Sequence, residues 1–154
     1  MLKYIQLGLF AITFFCSSAT AHFPWLIVDP SGTTSLYFGE DVTDKTYKLP
    51  AAIAKSKVHW IAANGTVKSL EMSKVESDSF VGLKAKTSVP KGSLVKTQVT
   101  YGIYGGMKLD YYAVHQPANP TKKQLAALGL DLYAVVQLTA SGGAEVTVFW
   151  KGKP

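Results

Sequence analysis

From residue 23 onward the sequence is cut into short runs rich in Val, Ile, Thr, Tyr, Phe and Trp, separated by Gly, Pro, Asn and Ser. Runs of this length and composition suit pleated strands, and the punctuation between them suits tight turns. The spacing predicts strands near 23–28, 34–39, 57–62, 66–72, 79–85, 94–104, 108–114, 131–138 and 144–150. Eight or nine short strands with close turns predict an all-β sandwich. Asn64-Gly65 between "KVHWIA" and "TVKSLEM" predicts a two-residue hairpin with positive φ at both central positions. "YGG" at 104–106 and "SGG" at 141–143 predict two further hairpins. In "HQPANPTKKQLAALGLD" the prolines end a strand and Thr121 can cap a short helix over 122–128 that stops at Gly129, which makes this segment a crossover. Alternation along "VTYGIYG" directs Val99, Tyr101 and Ile103 to the core, and the least regular stretch, 40–56, is expected to wrap one end.

The first 21 residues obey a different rule. Lys3 precedes an apolar run, "IQLGLFAITFF", that is short for a bilayer span, which needs about 20 residues. Ala19 and Ala21 then form an A-x-A pattern, so residues 1–21 are expected to be a cleavable signal peptide and His22 the first residue of an exported, periplasmic or secreted protein. Cleavage leaves 133 of 154 residues, the size of one domain. Cys16, the single cysteine, departs with the signal, so neither disulfides nor thiolate ligands are available to the remainder.

All 16 basic residues are lysines, set against ten acids, for a formal net charge of +6. Arginine is the residue that grips phosphate bidentately, and its absence argues against a nucleic-acid partner. The scattered lysines read as a solvated surface with a leaning toward anionic ones. Catalytic signatures are missing as well: there is no G-x-S-x-G elbow, no H-E-x-x-H and no P-loop, which predicts a protein that is not an enzyme. The eight Tyr and three Trp could form a sugar platform, although sandwich cores use them more often.

His22 carries the chemical interest. An N-terminal histidine offers its α-amine and its ring Nδ1 together, and free amines and imidazoles, titrating at about 7.7–8.0 and about 6.5, yield their protons to a metal at neutral pH. Such a pair suits Ni(II), Co(II) or Cu(II). Histidine at the third place of the processed chain would make a different copper and nickel motif, but that place is Pro24. Two donors bind weakly, so a further ligand is expected from His115, whose ring should lie near the start of the first strand, or from His59. His59 alternates with Val58 and Trp60 and should point away from the core. Asp29, Glu40 and Asp41 are possible oxygen ligands. The competing account for each histidine is an ordinary structural or surface role.

The stretches "AHFPWLIVDP", "SLYFGE", "KVHWIAANGTVKSLEM", "TYGIYGG", "LDYYAVH" and "VTVFWKGKP" together resemble an exported family of unknown function often described as periplasmic components of cobalt or nickel uptake. The resemblance implies a β-sandwich of immunoglobulin or transthyretin type associated with a transition metal, and carries His22, Trp25, Tyr101, Gly102, Tyr111 and Tyr112 with it. Two departures stand out. Family members commonly place Ala-Lys after the double tyrosine where this chain has Ala113-Val114-His115, so a ligand role for His115 is not implied by the family. They also run on past "GKP" into another strand, whereas this sequence stops at Pro154, so the expectation is either a minimal version of the family or a sandwich with an unpaired sheet edge.

The expected function is capture or buffering of a divalent ion, nickel, cobalt or copper, with a membrane transport component as a possible recipient. The alternatives are an adhesion or scaffold module that binds a protein or glycan without metal, and a copper-dependent oxidative enzyme built on the N-terminal histidine.

Overall fold

The computed structural model describes residues 21–154; the signal-peptide reading of 1–21 lies outside the described residues except for Ala21. Among the described residues no helix is long and apolar enough to cross a membrane. Within residues 21–154, ten antiparallel strands in three sheets and two short helices form an all-β sandwich. The first sheet holds β1 (Phe23–Val28), β2 (Thr34–Gly39), β6 (Phe80–Ala85) and β5 (Met72–Ser77), in the order β1-β2-β6-β5. The second holds β3 (Val58–Ile61), β4 (Val67–Leu70), β7 (Leu94–Tyr104) and β8 (Met107–His115), in the order β4-β3-β7-β8. β9 (Leu132–Leu138) and β10 (Ala144–Trp150) make a separate two-stranded sheet.

The main core lies between the two larger sheets. Leu26, Leu36, Leu83, Val58, Val95 and Val99 meet there, with Ile53 of the short helix α1 (Ala51–Ala54) closing one side. A second cluster of Ile61, Leu94, Leu128 and Leu130 covers the other face of the second sheet, beneath the crossover that contains α2 (Lys122–Ala126). Alternation explains both clusters: successive residues of β3 and β7 point to opposite faces, and each face finds an apolar cover. Thr121 caps α2 in a capping box with Gln124, whose buried amide also donates to Ile61 O and Gly92 O. That side chain ties the crossover to the sheet below it.

Three local expectations need correction. The segment 66–72 is not one strand, because the chain passes at Glu71 from β4 in the second sheet to β5 in the first. The Asn64 turn is a three-residue loop: Ile61 faces Val67, Ala62 N–H donates to Thr66 O, and only Gly65 has positive φ (88°). Asn64 instead accepts from Thr66 N–H through its side chain, which makes the turn compatible with an ordinary φ at residue 64. The stretch 40–56 is irregular as expected apart from α1, started by Pro50. Ile103 is 73% exposed rather than buried, because a register shift between Thr100 and Gly102 precedes a tip that overhangs the sandwich.

Candidate functional site

β1 pairs with β2 over six residues, from Phe23 opposite Gly39 to Val28 opposite Thr34. Even-numbered residues of β1 face the main core, as Leu26 and Val28 show, and His22 stands in phase with them just before the strand begins. Its ring enters an aromatic group at that end of the sandwich. The centroid lies 3.9 Å from that of Tyr47 and 5.9 Å from that of Phe38, and Phe38 in turn stacks on Tyr101 at 5.8 Å. Tyr111 meets Tyr101 edge-on at 5.5 Å and directs its hydroxyl to the main-chain oxygen of His22, 3.4 Å away. Burial, with Tyr101 alongside, pushes the Tyr111 phenol above its ordinary range, so it remains a proton donor at neutral pH. These side chains line a recess of about 420 Å³.

On the polar side of the ring, Glu40 Oε1 lies 3.8 Å from His22 Nε2. The imidazole is mostly covered, at 21% exposure, while the carboxylate is half exposed at 47%. Nδ1, the nitrogen closer to the residue's own main chain, is the one an amine–imidazole chelate uses. Glu40 therefore stands on the other nitrogen. Metal-bound imidazoles commonly give that second N–H to a carboxylate, which orients the ring and raises its basicity. At 3.8 Å the Glu40 carboxylate is an ion-pair neighbour of Nε2 and not a hydrogen-bond acceptor from it.

The other two histidines are not brought to this place. His115 ends β8 and accepts from Val28 N–H at Nδ1 (3.4 Å), so it stands at the far end of β1. Six residues of strand separate it from His22, about 20 Å at about 3.3 Å each. The expectation that its ring lies near the start of the first strand is overturned, because β1 and β8, in different sheets, run in the same sense: His22 lies by Tyr111 and Val28 by His115, so the end of one strand meets the end of the other. His59 lies on β3, opposite Ser69 and Lys96, on the face away from the main core, as expected from its neighbours. Burial, together with the Lys96 and Lys57 charges, holds it below the ordinary imidazole value. Burial lowers His115 in the same direction. Neither completes a site with His22. Among the described residues no three His, Cys, Asp or Glu side chains gather around one point.

Two of the three acidic candidates are committed elsewhere. Asp29 Oδ1 accepts from Ser31 N–H, the Ser31 hydroxyl and Thr33 N–H in the β1–β2 turn. Asp41 does the same for Thr43 and Asp44. Both carboxyls are held below their ordinary range, first by the hydroxyl each accepts from. Tyr47 was not foreseen as a neighbour of His22. It comes from the irregular segment, which carries no periodicity from which its direction could be read.

Of the residues behind the family resemblance, His22, Tyr101 and Tyr111 line the one recess. Trp25 instead ties β1 to Gly39 O through its indole N–H, and Tyr112 packs in the second cluster. No protein-family model, curated protein or solved structure matches this chain.

Proposed function

We propose that this protein is exported, is not an enzyme, and captures a divalent nickel, cobalt or copper ion at His22 once cleavage after Ala21 frees the α-amine. The observation that carries this reading is the Glu40 carboxylate 3.8 Å from Nε2, on the ring nitrogen that the chelate leaves unused. The aromatic wall supports it, since Tyr47 and Phe38 restrict the imidazole to one orientation. Restricting a ligand before binding reduces the ordering cost of capture. A site with few protein donors also releases its cargo readily, which suits buffering or transfer to a membrane component.

Titration with Cu(II), Ni(II) and Co(II) tests the reading on two forms, one beginning at His22 and one retaining Ala21. The processed form is expected to bind at least tenfold more tightly. Equal affinity rejects the amine as a donor and the reading with it. A second reading, a metal-independent docking module, is favoured by the β7–β8 tip, where Ile103, Tyr104 and Met107 are each more than 70% exposed. It requires a bound protein or glycan that stays bound after treatment with chelator.

A further inference from the structure

The β9–β10 hairpin has two unlike faces. Its register sets Leu132 opposite Trp150, Ala134 opposite Val148, Val136 opposite Val146 and Leu138 opposite Ala144. Opposed residues share a face, so these eight positions form one surface with no polar side chain on it. The other face holds Tyr133 and Phe149, stacked at 4.9 Å, and the buried Val135, and it turns toward the second core cluster. The apolar face has no such cover. Leu138 is 75% exposed, Val146 59%, Val148 57% and Trp150 58%.

Charge is placed at one end of this face. A tight turn at Lys151-Gly152 brings Lys153 back to pair with Trp150, and Lys151 holds its ammonium 5.5 Å from the Trp150 ring centre. Glu145, the one acid within the two strands, points to the opposite face from Val146 and Val148.

We propose that this face seats on the surface of an anionic lipid bilayer, with Val146, Val148 and Trp150 entering the acyl boundary and Lys151 and Lys153 meeting headgroup phosphates. Size separates this occupant from a second copy of the chain. Two strands of seven residues span about 24 Å by about 10 Å, roughly 240 Å², far below the roughly 800 Å² per partner of a stable protein interface. A bilayer sets no such minimum and accepts an apolar patch of any outline. Tryptophan beside lysine, with the ring at the boundary and the ammonium in the headgroup layer, is the arrangement such surfaces favour.

The test uses the processed protein beginning at His22 with vesicles of phosphatidylglycerol or of phosphatidylcholine, each carrying brominated acyl chains that quench nearby indoles. Comparison with Trp150→Phe isolates the share of Trp150 among the three tryptophans. Strong quenching of that share by the anionic vesicles is expected, at least tenfold weaker binding for Val146→Thr/Val148→Thr, and loss of the anionic preference in Lys151→Gln/Lys153→Gln. The threonines retain strand preference, and the lysine pair is solvent-exposed and leaves the fold intact. The proposal is overturned if Trp150 stays unquenched on bound vesicles, if neutral and anionic vesicles bind alike, or if the threonine variant instead turns a dimer into a monomer.

Discussion

The two ends of β1 each bring a histidine close to an acid, yet they differ in what those groups have left to offer. At the Val28 end, Asp29 spends its carboxylate on the turn, and His115 takes a main-chain N–H at Nδ1. At the His22 end, Glu40 faces the imidazole, and an aromatic wall fixes the ring in place. Residue types are alike at both ends, but at the Val28 end each side chain already holds a main-chain N–H, whereas at the His22 end neither side chain is hydrogen-bonded to the main chain among the described residues. The same pair of residue types is thus spent on the fold at one end and left open at the other.

The largest effect that separates the ends is expected from His22→Ala against His115→Ala. The first should abolish detectable Ni(II) or Cu(II) binding in calorimetry on the processed protein, and the second should leave affinity within about twofold. Comparable losses in both would mean the ends do not differ as described. Next in size is Glu40→Gln, which keeps the shape and removes the charge. On the proposed reading this carboxylate closes on Nε2 when the ion binds, and its loss is expected to cost about 10- to 100-fold in affinity, with the thermal midpoint unchanged.

Acidity sharpens the contrast from the other side. His115 is held below its ordinary value of 6.5 by burial, so the unfolded chain binds the proton more readily. Stability is therefore full above about pH 6.5 and eroded as pH falls from there through the lowered folded value. Denaturant midpoints measured between pH 8 and pH 5 should show this slope, and His115→Gln should reduce it. His59, lowered by burial and two lysines, supplies the part that remains. The smallest expected change is that of Asp29→Ala, a lower thermal midpoint with unaltered metal affinity. A change in metal affinity there would tie the turn to the site.

Much of the fold was readable in the sequence because strands of a sandwich alternate. The bounds of β1, β2, β7 and β10 coincide with the apolar runs, and Thr121 marked the start of α2 by its capping chemistry. The passage from β4 to β5 was not readable, since a single residue, Glu71, bridges the sheets with neither Gly nor Pro to mark it. The exposure of Ile103 escaped for a related reason: alternation gives the phase of a strand, not how far its partner sheet extends. At the candidate site, His22 was singled out by the processing pattern, whereas its contact with Tyr47 and its distance from His115 depend on which distant segments come to lie together. Pairing partners several strands apart leave no local trace.

The six matched pairs of β1 and β2 have a consequence for how this sequence can vary. Side chains alternate along the ladder, so inserting or deleting one residue within β1 would rotate the imidazole to the outer surface, whereas changes of two would preserve its heading. Relatives with the same arrangement should therefore tolerate only even differences in length between that histidine and the following turn, a parity rule that sequence comparison alone can check.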